Sequence, residues 1–220
     1  MDWSVAHSLN SFLLAHDAIE DPLLAYVQAS EALFLGMLVL VCALARHPRW
    51  AAVRRTAVAA GLSAGLGLLI GKIITEFWDR ARPFVAHPGQ IHLFAPHPAD
   101  ASFPSDHATA SIAIATAILL RRRTGWGTIT LVSAAILCFG RVALGYHYPT
   151  DVIGGAAIGA ASATVLWQRP LRDWIDALSD RVGGAWDRAS DALVGRLGVP
   201  APHAARVQSS GGPTRIPPEE

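Results

Sequence analysis

The sequence predicts an all-α membrane protein: a polytopic bundle of about five transmembrane helices with an N-terminal amphipathic helix on the membrane surface. Two observations indicate this fold class. Apolar residues make up 52% of the 220 residues and charged residues only 16%, against about 25% charged residues in a typical soluble domain. The apolar residues are also concentrated in long runs with few charges, which is typical of membrane spans.

Five apolar runs reach the length of a membrane span, which needs about 20 residues. We place the spans at about residues 23–45, 56–77, 104–121, 125–145 and 150–168. The first carries one charged side chain, Glu31, and the third reaches a spanning length only if Phe103 to His107 are included. A soluble all-α protein is the alternative, but several charge-free runs are too long for ordinary core helices.

Helical periodicity extends beyond the spans at both ends of the chain. Apolar residues recur at helical spacing from Trp3 to Leu13, without the basic start of a signal peptide, so residues 1–20 are predicted to lie on the membrane surface. A second apolar stripe begins after residue 169, and we expect Gly183-Gly184 to interrupt it. We therefore divide the chain into a membrane domain (1–168), an amphipathic helical extension (169–199) and a disordered tail (200–220).

Glycines spaced by four residues favour close approach of helices in lipid. Three such pairs occur within two of the predicted spans: Gly61/Gly65 and Gly67/Gly71 in the second, and Gly155/Gly159 in the fifth.

The distribution of basic residues predicts the orientation of the bundle. With five crossings, nine arginines fall on one side and four basic residues on the other. Because positive residues accumulate on the cytoplasmic side, the second side is expected to face outward. The outward residues are Lys72, Arg80, Arg82 and Arg141. The protein is thus predicted to be a multi-pass cell-membrane protein whose polar clusters face the periplasm or the cell exterior.

Three polar clusters border the predicted spans, and alternating crossings bring all three to this outward face. They are Lys72 with Arg80, Arg82 and Pro83; residues 102–107; and Gly140-Arg141 with His147 and Asp151. Placing ionisable groups at such positions costs free energy, so their presence indicates a functional site.

The second and third clusters each begin a helix. Pro104 suits a first helical turn, which would leave the N–H groups of Ser105, Asp106 and His107 unpaired at a positive helix end. Such an end binds phosphate. Pro149 likewise begins the fifth span and puts Asp151 in its first turn, where His147 can donate a ring N–H to it and keep its other nitrogen as a nucleophile.

Each of these residues also has a structural interpretation. His147 could be an interfacial histidine, Ser105 a helix cap, Arg82 a cation reaching the headgroups and Asp151 a helix-end carboxylate. Their convergence on one face favours chemistry over these separate roles. His87, His92 and His97 could form a metal site, but no carboxylate or cysteine set accompanies them, so we expect no metal and no cofactor.

At these residues the chain resembles the type 2 phosphatidic acid phosphatase superfamily. The resemblance lies in Arg82-Pro83, in Pro104-Ser105-Asp106-His107 with Asp106 in place of glycine, and in Gly140-Arg141-x5-His147-x3-Asp151 with Gly140 in place of serine. The motif lysine usually stands seven residues before the arginine; that position is Thr75, and Lys72 lies three residues earlier. The Phe-Pro-Ser-Asp-His form is most similar to bacterial undecaprenyl-diphosphate phosphatases.

The resemblance implies a metal-independent phosphatase with a phosphohistidine intermediate. His147 would be the nucleophile, Asp151 would orient it, and His107 would protonate the leaving oxygen and then activate water. Lys72, Arg82, Ser105 and Arg141 would hold the phosphate. We assign Arg80 to the second phosphate of a diphosphate, because it lies just outside Arg82.

Three functions remain open from the sequence. The first is hydrolysis of undecaprenyl diphosphate, the second is a phosphatidic acid or phosphatidylglycerol-phosphate phosphatase, and the third is a transporter or membrane scaffold. The expected partners are membrane lipid and a polyprenyl or phospholipid phosphate substrate. The net charge of +1 gives no sign of a nucleic-acid surface.

Overall fold

In the computed structural model, residues 1–45, 48–121 and 123–196 are described, and their regular structure is helical. A short 3₁₀ helix, Pro48–Trp50, precedes the third of the α-helices. The α-helices are α1 (Asp2–Leu14), α2 (Asp17–Leu44), α3 (Ala51–Phe77), α4 (Pro83–Ala86), α5 (Asp106–Leu120), α6 (Thr124–Ala143), α7 (Pro149–Leu166) and α8 (Arg169–Arg196).

Four helices are long and apolar enough to cross a membrane: α2, α3, α6 and α7. The shorter apolar helix α5 makes the fifth predicted element, so the predicted class of membrane helix bundle is confirmed. At 15 residues α5 would be about 22 Å long. The expectation that it would begin at residue 104 is wrong, because Ser105 is extended and its N–H donates to the Asp151 carbonyl of α7.

The bundle is built around α5, which packs against α3, α6 and α7. Because these neighbours surround it, α5 can be shorter than the hydrocarbon layer that the outer helices cross. Glycines permit the approach: a Cβ on Gly159 would overlap the Thr109 carbonyl, and one on Gly155 would come 2.5 Å from the Ser105 carbonyl. A Cβ on Gly67 would come 2.8 Å from the side-chain methyl of Thr109, whereas one on Gly65 would meet nothing within 4 Å.

The N-terminal segment forms a helix, α1, that is separate from the first span. Ala6 and Leu13 of its predicted apolar stripe are fully buried, against residues that belong to α2, α6 and α7. Span α2 then begins at Asp17, six residues before the predicted start, because Pro22 is tolerated in its second turn. Proline there removes one backbone donor close to the helix end.

The C-terminal helix α8 is continuous from Arg169 to Arg196, so the expected interruption at Gly183-Gly184 is wrong. A side chain at Gly183 would overlap the Arg54 guanidinium, which lies across this position and pairs with Asp187 at 3.3 Å. Arg55 and Arg121 make further ion pairs from the bundle to α8, with Asp180 and Asp176. The predicted tail, residues 200–220, lies outside the described residues.

The three polar clusters meet at one end of the bundle. The end of α3, the start of α5, the end of α6 and the start of α7 all lie there, together with α1 and the long connection from residue 78 to residue 105. Asn10 of α1 fixes this connection, since its side-chain amide pairs with the backbone of His92 and also donates to the Ala143 carbonyl. Gly145, with φ +80°, makes the turn from α6 to α7.

Candidate active site

A cavity of about 420 Å³ opens at this end of the bundle. Its walls come from α2, α3, α5, α6 and the two connections that precede α5 and α7. The polar and charged side chains that line it are those of Ser30, Glu31, Lys72, Thr75, Arg82, His97, Asp100, Asp106, His107, Ser111, Arg141 and His147. Apolar side chains, among them Phe34, Leu68 and Leu137, line the rest. The cavity therefore has both charged side chains and an apolar part of its wall, which we call the apolar groove, as an amphiphilic ligand would require.

His147 lines the cavity and is 2% exposed. Its Nδ1 is 2.8 Å from the Ser102 carbonyl oxygen. Because a carbonyl only accepts, Nδ1 carries the proton and Nε2 keeps its lone pair. That lone pair accepts from Arg82 Nη1 and Arg141 Nη2, both at 3.1 Å.

Burial is the main cause that lowers the pKa of His147 to about 4. The Asp151 carboxylate opposes this effect, and the charges of Arg141 and Arg82 add to it. The imidazole is therefore neutral at pH 7, which is the form of histidine that can act as a nucleophile.

Asp151 lies in the first turn of α7, as predicted, but its geometry differs from the prediction. Its Oδ2 is 3.8 Å from His147 Nδ1, too far for the expected hydrogen bond, because the Ser102 carbonyl takes that position. The fully buried carboxylate instead accepts from Ser102 Oγ at 2.5 Å, Tyr148 N at 2.8 Å and Arg80 Nη1 at 2.6 Å. It thus ties together the two segments that hold the imidazole.

Arg82 and Arg141 are 5% and 4% exposed, respectively. Arg82 is fixed by Asp100 Oδ1 at 2.9 Å and by the Tyr146 carbonyl at 2.9 Å. Arg141 lies over the Tyr146 ring, and its Nε is buried without a partner in the described part of the chain. Two guanidinium groups therefore converge on the lone pair of His147.

The other two predicted cations lie elsewhere. Arg80 does not line the cavity, because its amino groups pair with Asp151 and Asp2, so it is not free for a second phosphate. Lys72 does line the cavity, but its side chain is 73% exposed and its Nζ pairs with Glu76 at 3.2 Å. Thr75, at the motif position for lysine, also lines it.

At the start of α5, Ser105 is the N-cap residue, and the first turn contains Asp106 and His107. The N–H of Ser105 is paired with α7, which corrects the expectation that it would be free. Its Oγ is buried and has no partner among the described residues, and Ser105 itself does not line the cavity, although its neighbours Pro104 and Asp106 do. Both Asp106 and His107 line the cavity, so the helix N-terminus points a predicted acid–base residue into it.

A sequence model of the PAP2 superfamily matches residues 56–174, more than half of the chain. The chain belongs to the PAP2 superfamily. This range contains all eight predicted site residues, from Lys72 to Asp151.

Individual PAP2 proteins and related structures agree with this membership. Undecaprenyl-diphosphatase BcrC of Bacillus subtilis is 33% identical over 144 residues, which cover 65% of this chain and 71% of BcrC. Decaprenylphosphoryl-5-phosphoribose phosphatase of Mycobacterium tuberculosis is 35% identical over 62% of this chain and 66% of its own length. The crystal structure of Aquifex aeolicus LpxE superposes with a TM-score of 0.63 at 18% identity, over 74% of this chain and 93% of that one. The chain is accordingly a multi-pass PAP2 membrane lipid phosphatase.

Three residues of this PAP2 site were not assigned from the sequence. Ser102 binds both His147 and Asp151, although only its neighbours belong to the motif. His97 Nε2 is 2.8 Å from Arg141 Nη2, and burial, aided by the charges of Arg82 and Arg141, lowers the pKa of this histidine. Asp100 binds Arg82. All three lie in the connection before α5. This connection has no periodic sequence pattern, so its conformation could not be predicted.

The three loop histidines of the PAP2 chain do not share a site. His87 stacks on Trp3 at 3.6 Å between ring centroids, His92 lies edge-on to Phe94, and His97 lies over Tyr146. No cluster of three potential metal-ligating side chains occurs within residues 1–45, 48–121 and 123–196.

Proposed function

We propose that this phosphatase hydrolyses undecaprenyl diphosphate to undecaprenyl phosphate and inorganic phosphate through a phosphohistidine at His147. The observation that carries the proposal is the unprotonated Nε2 of His147, 3.1 Å from each of two buried guanidinium groups, in a cavity that apolar side chains also line. A terminal phosphate that binds the two guanidiniums would bring its phosphorus beside this lone pair.

In the first step, Nε2 attacks the terminal phosphorus and the bond from that phosphorus to the bridging oxygen breaks. The electron pair leaves with the undecaprenyl phosphate, and His107 gives a proton to the leaving oxygen. Arg82 and Arg141 neutralise the charge that spreads over the equatorial oxygens during transfer. The Ser102 carbonyl holds the Nδ1 proton, so the imidazolium formed on attack remains hydrogen-bonded.

In the second step, His107 takes a proton from water, and the resulting hydroxide attacks the phosphorus of the phosphohistidine. The phosphorus–nitrogen bond breaks, inorganic phosphate leaves and His147 returns to its neutral form. His107 therefore acts as a general acid in the first step and as a general base in the second, and it ends the cycle in the protonation state in which it began.

Groups without a partner in the described structure support a phosphate at this position. Ser105 Oγ and Arg141 Nε are both buried and unpaired, and a buried unpaired donor costs about 1–3 kcal/mol. The N-terminus of α5, with its positive dipole end, lies at the same place. A bound phosphate would supply the acceptors that these groups lack.

The substrate assignment rests on the apolar groove and on the relatives rather than on an excess of positive charge. Arg80 is engaged by Asp2 and Asp151, which leaves Arg82, Arg141 and Lys72 for the phosphates. This smaller set also suits a phosphate monoester on a polyprenyl lipid, the class named for the M. tuberculosis relative. A monoester of this kind is therefore the second candidate, with phosphatidic acid and phosphatidylglycerol phosphate as further ones.

Phosphate release from a panel of lipids in detergent micelles decides among these substrates. We expect kcat/KM for undecaprenyl diphosphate to exceed that for phosphatidic acid, phosphatidylglycerol phosphate and a polyprenyl phosphate monoester. A higher value for any monoester would refute the diphosphate assignment and leave the phosphatase mechanism in place.

The covalent step has its own test. Rapid acid-free quenching with terminally ³²P-labelled substrate should leave label on the wild-type protein, stable in alkali and lost in acid, and none on His147→Ala. The same variant should lose nearly all turnover. A transporter or scaffold, by contrast, would keep its lipid flux or binding in His147→Ala, and that result would overturn the enzymatic proposal.

The proposed reaction needs no metal ion, because guanidiniums and a helix N-terminus supply the positive charge. EDTA should leave turnover unchanged, whereas vanadate, which resembles the transferring phosphoryl group, should inhibit. Loss of activity in EDTA that Mg²⁺ restores would contradict this part of the proposal.

A further inference from the structure

Arg80 bridges the carboxylates of Asp2 and Asp151. Its Nη2 donates to Asp2 Oδ2 at 2.6 Å, while its Nη1 donates to Asp151 Oδ1 at 2.6 Å and to Thr150 Oγ1 at 2.7 Å. The guanidinium also lies 4.1 Å from the centroid of the Tyr148 ring. Because its amino groups share one rigid plane, fixing one of them orients the other.

Asp2 also binds α7 directly. Thr150, in the first turn of α7, donates its backbone N–H to Oδ1 at 3.0 Å and its hydroxyl to Oδ2 at 2.5 Å. Burial raises the pKa of Asp2, but the hydrogen bonds from Thr150 and Arg80 outweigh it and the net pKa is lowered. Asp2 is therefore an ionised cap on the helix that carries Asp151.

Asp151 depends on Arg80 for charge compensation. It is fully buried, and of its three hydrogen-bond donors only Arg80 is charged. A buried carboxylate whose charged partner is removed is strongly destabilised. The position of Arg80 thus affects the carboxylate that joins Ser102 to the Tyr148 turn and so holds both sides of His147.

We propose that Asp2 of α1 is a positioning residue for the reaction: through Arg80 it holds Asp151, and thereby the imidazole of His147, in the orientation for attack. This inference rests on the proposed function of His147. Neither Asp2 nor Arg80 lines the cavity, so both act through other residues and not on the substrate.

The test is steady-state turnover of Asp2→Asn with the lipid phosphate that the wild-type protein hydrolyses best. We expect kcat to fall by about tenfold to a hundredfold, since a misplacement of about 1 Å far from the chemistry can cost on the order of 10²-fold. KM should change by less than about twofold, because the cavity walls are untouched. Asp2→Glu should recover much of the loss.

Asp21→Asn is the matched control. Asp21 is exposed on the first turns of α2, and it has no hydrogen bond or ion pair within the described residues. It should keep wild-type kcat. Equal activity of Asp2→Asn and Asp21→Asn would overturn the inference.

A double-mutant cycle distinguishes positioning from a general loss of stability. If Asp2 acts through Arg80, Asp2→Asn should cause no further loss of kcat in an Arg80→Gln background. A loss of the same factor in both backgrounds would show an action independent of Arg80 and contradict the proposal.

His147→Ala separates this inference from the proposed function. Turnover that survives His147→Ala would refute the proposed mechanism itself. Turnover that needs His147 but is unchanged in Asp2→Asn would refute only the role of Asp2.

Discussion

At the scale of single residues, the hydroxyl of Ser105 combines full burial with the lack of a partner in the described structure. Its removal leaves no native hydrogen bond broken, so the fold should tolerate Ser105→Ala. A bond from a hydroxyl to a charged phosphate contributes about 1.5–3 kcal/mol. We therefore expect Ser105→Ala to lower kcat/KM by about 10- to 100-fold with an unchanged unfolding temperature.

Ser63→Ala serves as the control for this measurement. Ser63 is equally buried, but its hydroxyl donates to the Ala59 carbonyl within α3. The Ser63→Ala protein should keep wild-type kinetics. If Ser105→Ala also kept them, the hydroxyl of Ser105 would have no role at the phosphate.

The acid limb of the pH–rate profile follows from the lowered pKa of His147. The proposed nucleophile, His147, is neutral above its pKa of about 4, and this form is lost as the pH falls through that value. On the acid side, we therefore expect kcat/KM to decline only near pH 4, measured across pH 3.5 to 8 with a substrate that remains soluble. A decline centred near pH 6.5, the ordinary value for histidine, would show that His147 is not depressed in this way.

Residue spacing predicted which candidate site residues meet, but not the atoms they bind. Alternating spans bring His107, Arg82, Arg141 and His147 to one cavity, as expected. The partner of His147 Nδ1 is instead a backbone carbonyl 45 residues away, at Ser102. Such a contact depends on the conformation of the connection before α5. The sequence of this connection has no periodic pattern from which its conformation could be predicted.

At the scale of helices, the contact between α5 and α7 is close enough that a single methyl group matters. A Cβ on Gly159 would overlap the Thr109 carbonyl and come 3.0 Å from the Ala113 N. Because overpacking costs about 1–3 kcal/mol, we expect Gly159→Ala to lower the unfolding temperature in detergent.

Gly65→Ala provides the comparison, since a Cβ there would meet nothing within 4 Å. In the interior of α3 this change should leave stability unchanged or raise it by about 0.5–1 kcal/mol. Equal unfolding temperatures for the two variants would mean that α7 shifts away from α5 without loss.

Hydropathy predicted the four long apolar helices and the shorter helix α5, and it missed several of their ends. Two of the differences from prediction involve a contact with another helix. Helix α5 begins late because the Ser105 N–H binds α7, and α8 runs through Gly183 because Arg54 occupies the space over that glycine. Neither contact can be inferred from local composition, because each partner lies in another helix.

At the scale of the whole molecule, the excess of arginine at the end opposite the cavity predicts that the site faces outward. A cysteine at the exposed Gln90, with the free Cys42 and Cys138 replaced by Ala, should react with an impermeant maleimide in intact cells. A cysteine at exposed Ala192 on α8 should react only after lysis. The reverse pattern would place the site in the cytoplasm.

The bonds from Asp2 to Thr150 span 148 residues of sequence and have a consequence for biogenesis. The ribosome makes α1 before α7, yet α1 cannot make these bonds until α7 has been synthesised and inserted. An amphipathic helix can wait on the bilayer surface during that interval. Helix α1 thus docks onto α7 only after α7 has been made, and we expect the full rate of hydrolysis only from that point.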